Sequence, residues 1–277
     1  MKLIEPKVEI IQQEPNLEGV YKQIEQAART CYKSEDKITD TSAKEFVDKL
    51  IKNKHLAMLE HGTVYLNIFP EDDFCEEIIG VFIHNPYTKC IRIMNNNFGY
   101  LITTNFRVIV ENNLDAAIEY ICEPTECHEK RYTLKFTTSI GITRELIRHR
   151  CFSFANESTR YCNYSRDKFN NEITFVIPSW VDRNREPNDV GDLMFLDICH
   201  KTEKYYLDLI SDGYSPQQAR EVLPLCTKSE LVMTGFESDW KEFFDKRLKG
   251  TTGKPHPDMI HLCELAQEEL TKNGIIL

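Results

Sequence analysis

Along the 277-residue chain the spacing of hydrophobic and polar positions changes several times. Leu17, Val20, Tyr21, Ile24, Ala27, Ala28 and Cys31 recur at three- and four-residue intervals, which predicts an amphipathic helix over 17–31. Thr41 or Ser42 is placed to cap a second helix, with Phe46, Val47, Leu50 and Ile51 on one face. After Gly62 the period becomes two: Val64, Leu66 and Ile68 alternate with Tyr65, Asn67 and Phe69, the pattern of a strand. Strands are predicted at 89–94 and 100–110 around an Asn-Asn-Asn-Phe-Gly turn at 95–99, and a short helix at 114–122. Residues 132–138 return to strand alternation and lead into a helix ending near Arg150. A strand at 173–177 stops at Pro178.

The last third is mostly helical. An amphipathic segment from Asp189 to Ile210 is expected to bury Leu193, Met194, Tyr205 and Leu209. Ser215 and Pro216 open a helix through Val222, and Ser238 or Asp239 caps one containing Trp240, Phe243 and Phe244. The final helix runs from Pro257 to about Lys272 and stops at Gly274. Neither repeat nor linker interrupts the pattern. It predicts a single α+β domain over 1–277, with a mixed or largely antiparallel sheet flanked by helices.

Composition narrows the function. With 34 basic against 44 acidic residues the net charge is −10, which disfavours a nonspecific nucleic-acid binder. The N-terminus meets Glu5 and Pro6 before an apolar signal region can form, and no run approaches the ~18 apolar residues of a membrane span. Ten cysteines are scattered from Cys31 to Cys263, unlike a compact disulfide framework, so a cytoplasmic protein with reduced thiols is expected. Cys122, Cys127 and His128 lack a second ligand pair at zinc-finger spacing, and no metal site is assigned to them.

Within this acidic chain, Arg144, Arg148, Arg150, Arg160 and Arg166 are concentrated between 143 and 168. A solvated basic face would also concentrate arginine. In a helix, however, Arg148 and Arg150 point about 200° apart and would serve two anionic groups rather than one solvent face. Asn156, Ser158 and Arg160 follow at a spacing of two, so an extended backbone would present amide, hydroxyl and guanidinium together, a set suited to a phosphate and its sugar.

Arg148-His149-Arg150, seven residues, then Ser158 resembles the Arg-His-Arg-x7-Ser signature of the flavin-dependent thymidylate synthases, and Arg160-Tyr161 extends the likeness. His55-Leu56-Ala57-Met58-Leu59-Glu60-His61 is similar to that family's upstream His-x-x-x-x-Glu-His element. Gln218-Ala219-Arg220, continuing to Leu223-Pro224, is similar to its Ala-Arg-x-x-Leu-Pro motif. Arg247 and His256-Pro257 resemble its C-terminal segment. Residues 70–131 stand outside the resemblance as an insertion.

The resemblance implies methylation of dUMP at C5 to dTMP. Carbon would come from methylenetetrahydrofolate and hydride from FAD reduced by NADPH, in a homotetramer whose subunits share sites. It implies Arg247 as the catalytic residue, stabilising charge on the uracil ring. Contacts to dUMP fall to Glu145, Arg148, Asn156, Glu157, Ser158, Arg160, Arg220 and Arg247, with Arg220 reaching in from a neighbouring subunit. Contacts to FAD fall to His55, Ala57, Arg148, His149, Arg150, Asn156, Ser238 and Glu242. Glu145 replaces the usual glutamine, Asn156 a Glu or Gln, and Ala57 a small hydroxyl residue. Phe236, Ser238 and Glu242 stand where other members carry flavin- or folate-binding Asn and Arg. Two other readings are weighed. A flavin-free thymidylate synthase needs a cysteine nucleophile, and Cys151 and Cys162 lack its context. A noncatalytic nucleotide- or RNA-binding protein could stack bases on Tyr161, Tyr164 and Phe169, against the net charge and without an RNA module.

Overall fold

The computed structural model describes residues 1–69, 73–93, 99–160, 162–166, 169–181 and 190–277. Met94, most of the turn expected at 95–99, Tyr161 and Asp189 lie outside them. The strands in chain order are β1 (Lys2–Ile4), β2 (Lys7–Ile10), β3 (Thr63–Ile68), β4 (Lys89–Ile93) and β5 (Gly99–Asn105), then β6 (Arg131–Ser139), β7 (Ser153–Asn156), β8 (Thr174–Val176) and β9 (Lys228–Phe236). The helices are α1 (Asn16–Tyr32), α2 (Ser42–Lys52), α3 (Asp73–His84), α4 (Phe106–Glu111) and α5 (Ile140–Leu146), then α6 (Val190–Ser211), α7 (Pro216–Ala219), α8 (Glu237–Arg247) and α9 (Pro257–Lys272).

The architecture is α+β and largely antiparallel, as the sequence pattern predicts, with the strands divided among three sheets. A four-stranded antiparallel sheet runs β2-β6-β9-β7, a three-stranded one β3-β5-β4, and β1 pairs with β8 in parallel. In the four-stranded sheet Leu134 faces Met233 and Phe136 faces Leu231. This row is buried against Trp240, Phe243 and Phe244 of α8 and Met259 and Leu262 of α9. Each such side chain contributes roughly 1.5–3 kcal/mol by leaving water. The period of two on the strands and of 3.6 on the helices brings these apolar stripes face to face.

Several elements differ from the expected pattern. Residues 100–110 form β5 and then α4, because the Asn105 side chain accepts from the Val108 N–H at 3.2 Å and caps a helix there. On α6 Asp192, Phe195, Cys199, Thr202 and Tyr206 are buried, whereas Leu193, Met194 and Tyr205 are exposed. Hydrophobicity alone did not tell which stripe meets the core cluster of Tyr164, Ile173 and Phe175. The α8 helix begins at Glu237, ahead of Ser238 and Asp239, and the Asp239 carboxylate accepts from the Phe236 N–H at 3.2 Å.

Candidate active site

The Arg-His-Arg residues do not lie within a helix. The α5 helix, opened by the Ser139 hydroxyl accepting from the Ile142 N–H at 3.3 Å, ends at Leu146. Phe152 must reach the core, and β7 must pair with β9 from Ser153 onward, so the chain turns through 147–151. Backbone bonds from His149 N to Leu146 O and from Phe152 N to His149 O, each 3.1 Å, close the turn. Phe152 packs edge-on against Trp240 with ring centroids 4.7 Å apart. A side chain at Gly235 would fall 2.3 Å from the Phe152 ring, so only glycine admits this packing. In the turn Arg148 and Arg150 are both exposed and face one cleft, in place of the two opposed sides that a helix would give.

That cleft, about 580 Å³, is walled by the turn and by the last residues of α8, with Arg148, His149, Arg150, Glu242, Lys246 and Arg247 among them. The Arg247 Nε donates to His149 Nε2 at 2.8 Å, and its terminal nitrogens donate to the Glu145 carboxylate and carbonyl, both at 3.2 Å. Glu145, the departure from the usual glutamine, is thus the ionic partner of Arg247. Burial, then the Arg247 guanidinium, pushes the His149 imidazole down to about 4. The ring is neutral at pH 7, accepts through Nε2 and carries its proton on Nδ1. Phe243 packs edge-on to it at 5.0 Å.

The other expected residues fall elsewhere in the chain. Asn156 ends β7 and accepts from the Ser229 hydroxyl at 3.0 Å. Beyond it the backbone leaves the strand, so Asn156, Ser158 and Arg160 do not share one extended face. The Ser158 N–H donates to Cys31 O at 3.1 Å, and an Arg220 terminal nitrogen donates to the Thr159 hydroxyl at 3.4 Å within the same chain. Ser158, Arg160 and Arg220 therefore form a second group, outside the described walls of the cleft. His55 and Ala57 are exposed ahead of Glu60 and His61 and are also outside those walls. Ser238 donates to the Glu129 carboxylate, and Glu242 pairs with Lys246.

Glu157 points inward. Its carboxylate, on a residue 4% exposed, takes Lys228 Nζ at 2.8 Å and the Glu230 N–H at 2.9 Å. Lys33, Lys135 and Lys228 converge on Glu230 at 2.5, 2.7 and 2.7 Å. Burial would raise the Glu230 carboxyl, but the three lysines outweigh it and hold it well below the usual range. Sequence reading missed this network, although the two-residue spacing of Lys228 and Glu230 on β9 put them on one face. It also missed Lys246 and Phe243 in the cleft. Cys151 lines the cleft with its thiol raised to about 11, by burial and then by Asp239. Cys162 is fully buried and donates to Glu157 at 3.5 Å, and burial raises its thiol far above the ordinary value. His128 accepts from the Thr125 N–H through Nδ1 and donates to Leu66 O at 3.1 Å, which commits both nitrogens to closing its loop.

A cleft that joins an Arg-His-Arg turn to an arginine at a helix end defines a class that comparison with known proteins identifies. The profile of the family described as Thymidylate synthase complementing protein matches residues 11–72 and 124–273, and the chain belongs to that family. The resemblance to the flavin-dependent thymidylate synthases is borne out. Flavin-dependent thymidylate synthase of Pyrococcus furiosus is 32% identical over 128 residues, 46% of this chain and 44% of the relative. That of Synechocystis is 27% identical over 134 residues, 46% of this chain and 61% of the relative. The chain spans about half the length of the curated relatives it matches. A crystal structure of the UMP/dUMP methylase PolB from Streptomyces cacaoi with 5-Br dUMP aligns with a TM-score of 0.46 at 16% identity, covering 98% of this chain and 93% of that one. No described helix is long and apolar enough to cross a membrane.

Proposed function

We propose that this chain carries out the reductive methylation of dUMP at C5 to give dTMP. Methylenetetrahydrofolate is the carbon donor, FAD the hydride carrier and NADPH the reductant, in the cytoplasm. The observation that carries the reading is Arg247, oriented by His149 and Glu145 in the same cleft as Arg148 and Arg150. The donor set fits FAD. Arg148, Arg150 and Lys246 offer cations to a diphosphate, and the neutral His149 ring with Phe243 offers a wall for a flat heterocycle. His55, Ala57, Asn156, Ser238 and Glu242 would add contacts to it. Bound reduced FAD supplies the hydride that completes the methyl group.

The residues divide the remaining work. Arg247 sits against the uracil O2/N3 edge and stabilises the negative charge that makes C5 nucleophilic, the electrostatic strategy of an oxyanion hole. His149 holds the plane of that guanidinium by accepting its Nε–H. Ser158, Arg160 and Arg220 hold the dUMP phosphate. No thiolate is needed at C6, which agrees with Cys151 and Cys162 both having raised thiols. One chain presents the arginine cleft and the Ser158 group separately, which supports sites completed by a neighbouring subunit in a homotetramer. Val190, Met194 and Ile198 give α6 an exposed apolar ridge consistent with that assembly.

The test is an anaerobic assay of tritium release from C5-labelled dUMP with NADPH and methylenetetrahydrofolate, on protein whose flavin absorbance is first recorded. Flavin that is released on denaturation, with tritium release dependent on both co-substrates, is the expected result. Colourless protein that binds no added FAD overturns the reading. A noncatalytic nucleotide binder would take up dUMP without releasing tritium.

A further inference from the structure

Away from the arginine cleft, a cavity of about 310 Å³ lies between the segment after β2, the start of α1, β3 and the first residues of β6. Its polar lining includes Gln23, Thr63, Tyr65 and Arg131, and Val20 and Ile121 are among its apolar walls. Two of the polar groups, Gln23 and Arg131, have hydrogen-bonding capacity to spare. Gln23 is 3% exposed, and its side-chain amide, which makes no hydrogen bond among the described residues, keeps its accessible surface where it lines the cavity. Arg131 is 9% exposed and meets no carboxylate at ion-pair distance among them. Its terminal nitrogens donate only to Thr63 Oγ1 at 3.3 Å and Glu60 O at 3.1 Å, and its Nε has no partner. Burial lowers the guanidinium only to about 10, so it is charged at neutral pH. Glu60 and Asp239 act on it only from beyond ion-pair distance and the Phe236 ring lies 5.3 Å from its centre, so a carboxylate in direct contact would be favoured. The Tyr65 hydroxyl accepts from the Arg131 backbone N–H at 3.2 Å and keeps its own proton to donate.

We propose that this cavity binds a small monocarboxylate, with its oxygens on Arg131 and Gln23 and its apolar body against Val20 and Ile121. Lys130 and Arg131 stand against Glu14 and Glu123 in the same lining, so no surplus of positive charge favours a phosphate dianion. The volume lies at the lower end of small-molecule sites, which start at roughly 300 Å³. Ile121, Cys122 and Glu123 fall between the two stretches that match the family profile, so one wall is built by residues outside the shared scaffold.

The probe is benzoate, followed by saturation-transfer NMR on the full chain, with benzamide as its neutral counterpart. Benzoate is expected to receive saturation, and benzamide to bind about tenfold more weakly, the loss of one charge-assisted hydrogen bond. The Gln23→Leu variant should unfold at a temperature close to the parent's and lose the benzoate signal. Arg131→Met should lose it as well, and if that variant does not fold, the Gln23→Leu and benzamide measurements decide. Absence of a benzoate signal, or benzamide binding equal to benzoate, overturns the proposal. So does a benzoate signal undiminished in Gln23→Leu, which would place the anion in the arginine cleft instead.

Discussion

The Nε of Arg247 donates to Nε2 of His149 at 2.8 Å, which ties the last residue of α8 to the turn that follows α5. The two lie 98 positions apart in sequence. The bond joins the middle of the Arg-His-Arg signature to the residue proposed to stabilise charge on the substrate.

Arg247→Ala is expected to lower dTMP formation by about 10²–10³-fold, the usual loss for one oxyanion-type donor. The same change removes a positive neighbour of His149, so the imidazole should titrate higher than about 4, as followed by NMR of its ring protons. An unchanged rate in a folded variant removes Arg247 from the mechanism.

Cys151→Ala and Cys162→Ala should both keep turnover, because neither thiol is ionised near neutral pH. Cys162→Ala, at a fully buried position, should cost about 1 kcal/mol in denaturant unfolding, a loss of methylene size. Inactivity of either variant with FAD still bound would reinstate a cysteine nucleophile.

Acid should destabilise the fold through its neutral histidines. His61, fully buried, is pushed down to about 3 by burial and then by Arg131, and His149 to about 4. Between those values and the ordinary 6.5, the unfolded chain binds protons that the native state refuses. Stability is therefore full above about pH 6.5 and declines as pH falls toward 4. Thermal unfolding from pH 7.5 to 5 checks the sign.

Glu157→Ala leaves Lys228 half-partnered inside the protein and should cost about 3 kcal/mol. Its carboxylate is turned to Lys228 and the Glu230 N–H, so chemical denaturation should reveal a defect in folding. If stability is unchanged while dUMP affinity falls, Glu157 faces substrate.

Trp240→Ala should cost about 3–5 kcal/mol, the range for a large aromatic removed from a core. Trp240 is fully buried among Phe136, Phe152 and Phe243 and donates to Tyr132 O at 3.2 Å. Because Phe152 follows the Arg-His-Arg turn, near-ultraviolet circular dichroism and flavin binding should both weaken in the variant.

Much of the fold was legible where local period and local caps decide the element, as in α1, α2, β3, β6 and α9. The failures share one cause. Residues 106–110 alternate well enough for a strand, yet the Asn105 cap and burial of Phe106, Val108 and Ile109 favour a helix. Leu193, Met194 and Tyr205 read as core, but α6 turns its Phe195, Cys199 and Tyr206 stripe inward. Two apolar stripes on one helix are equivalent in sequence, and only the surface they pack against distinguishes them.

The site divides along the same line. The order Arg148-His149-Arg150 followed by Ser158 is a property of neighbouring residues, so the chain alone determined the signature, the family and the arginine concentration within a net charge of −10. Tertiary structure decided that the signature sits in a turn, that Glu145 pairs with Arg247, and that Glu157 is buried on Lys228. It also decided that Gln23 and Arg131, 108 positions apart by their numbers, face one cavity. Local preference acts over a few residues, whereas hydrogen bonds and ion pairs depend on which distant segments the core brings together.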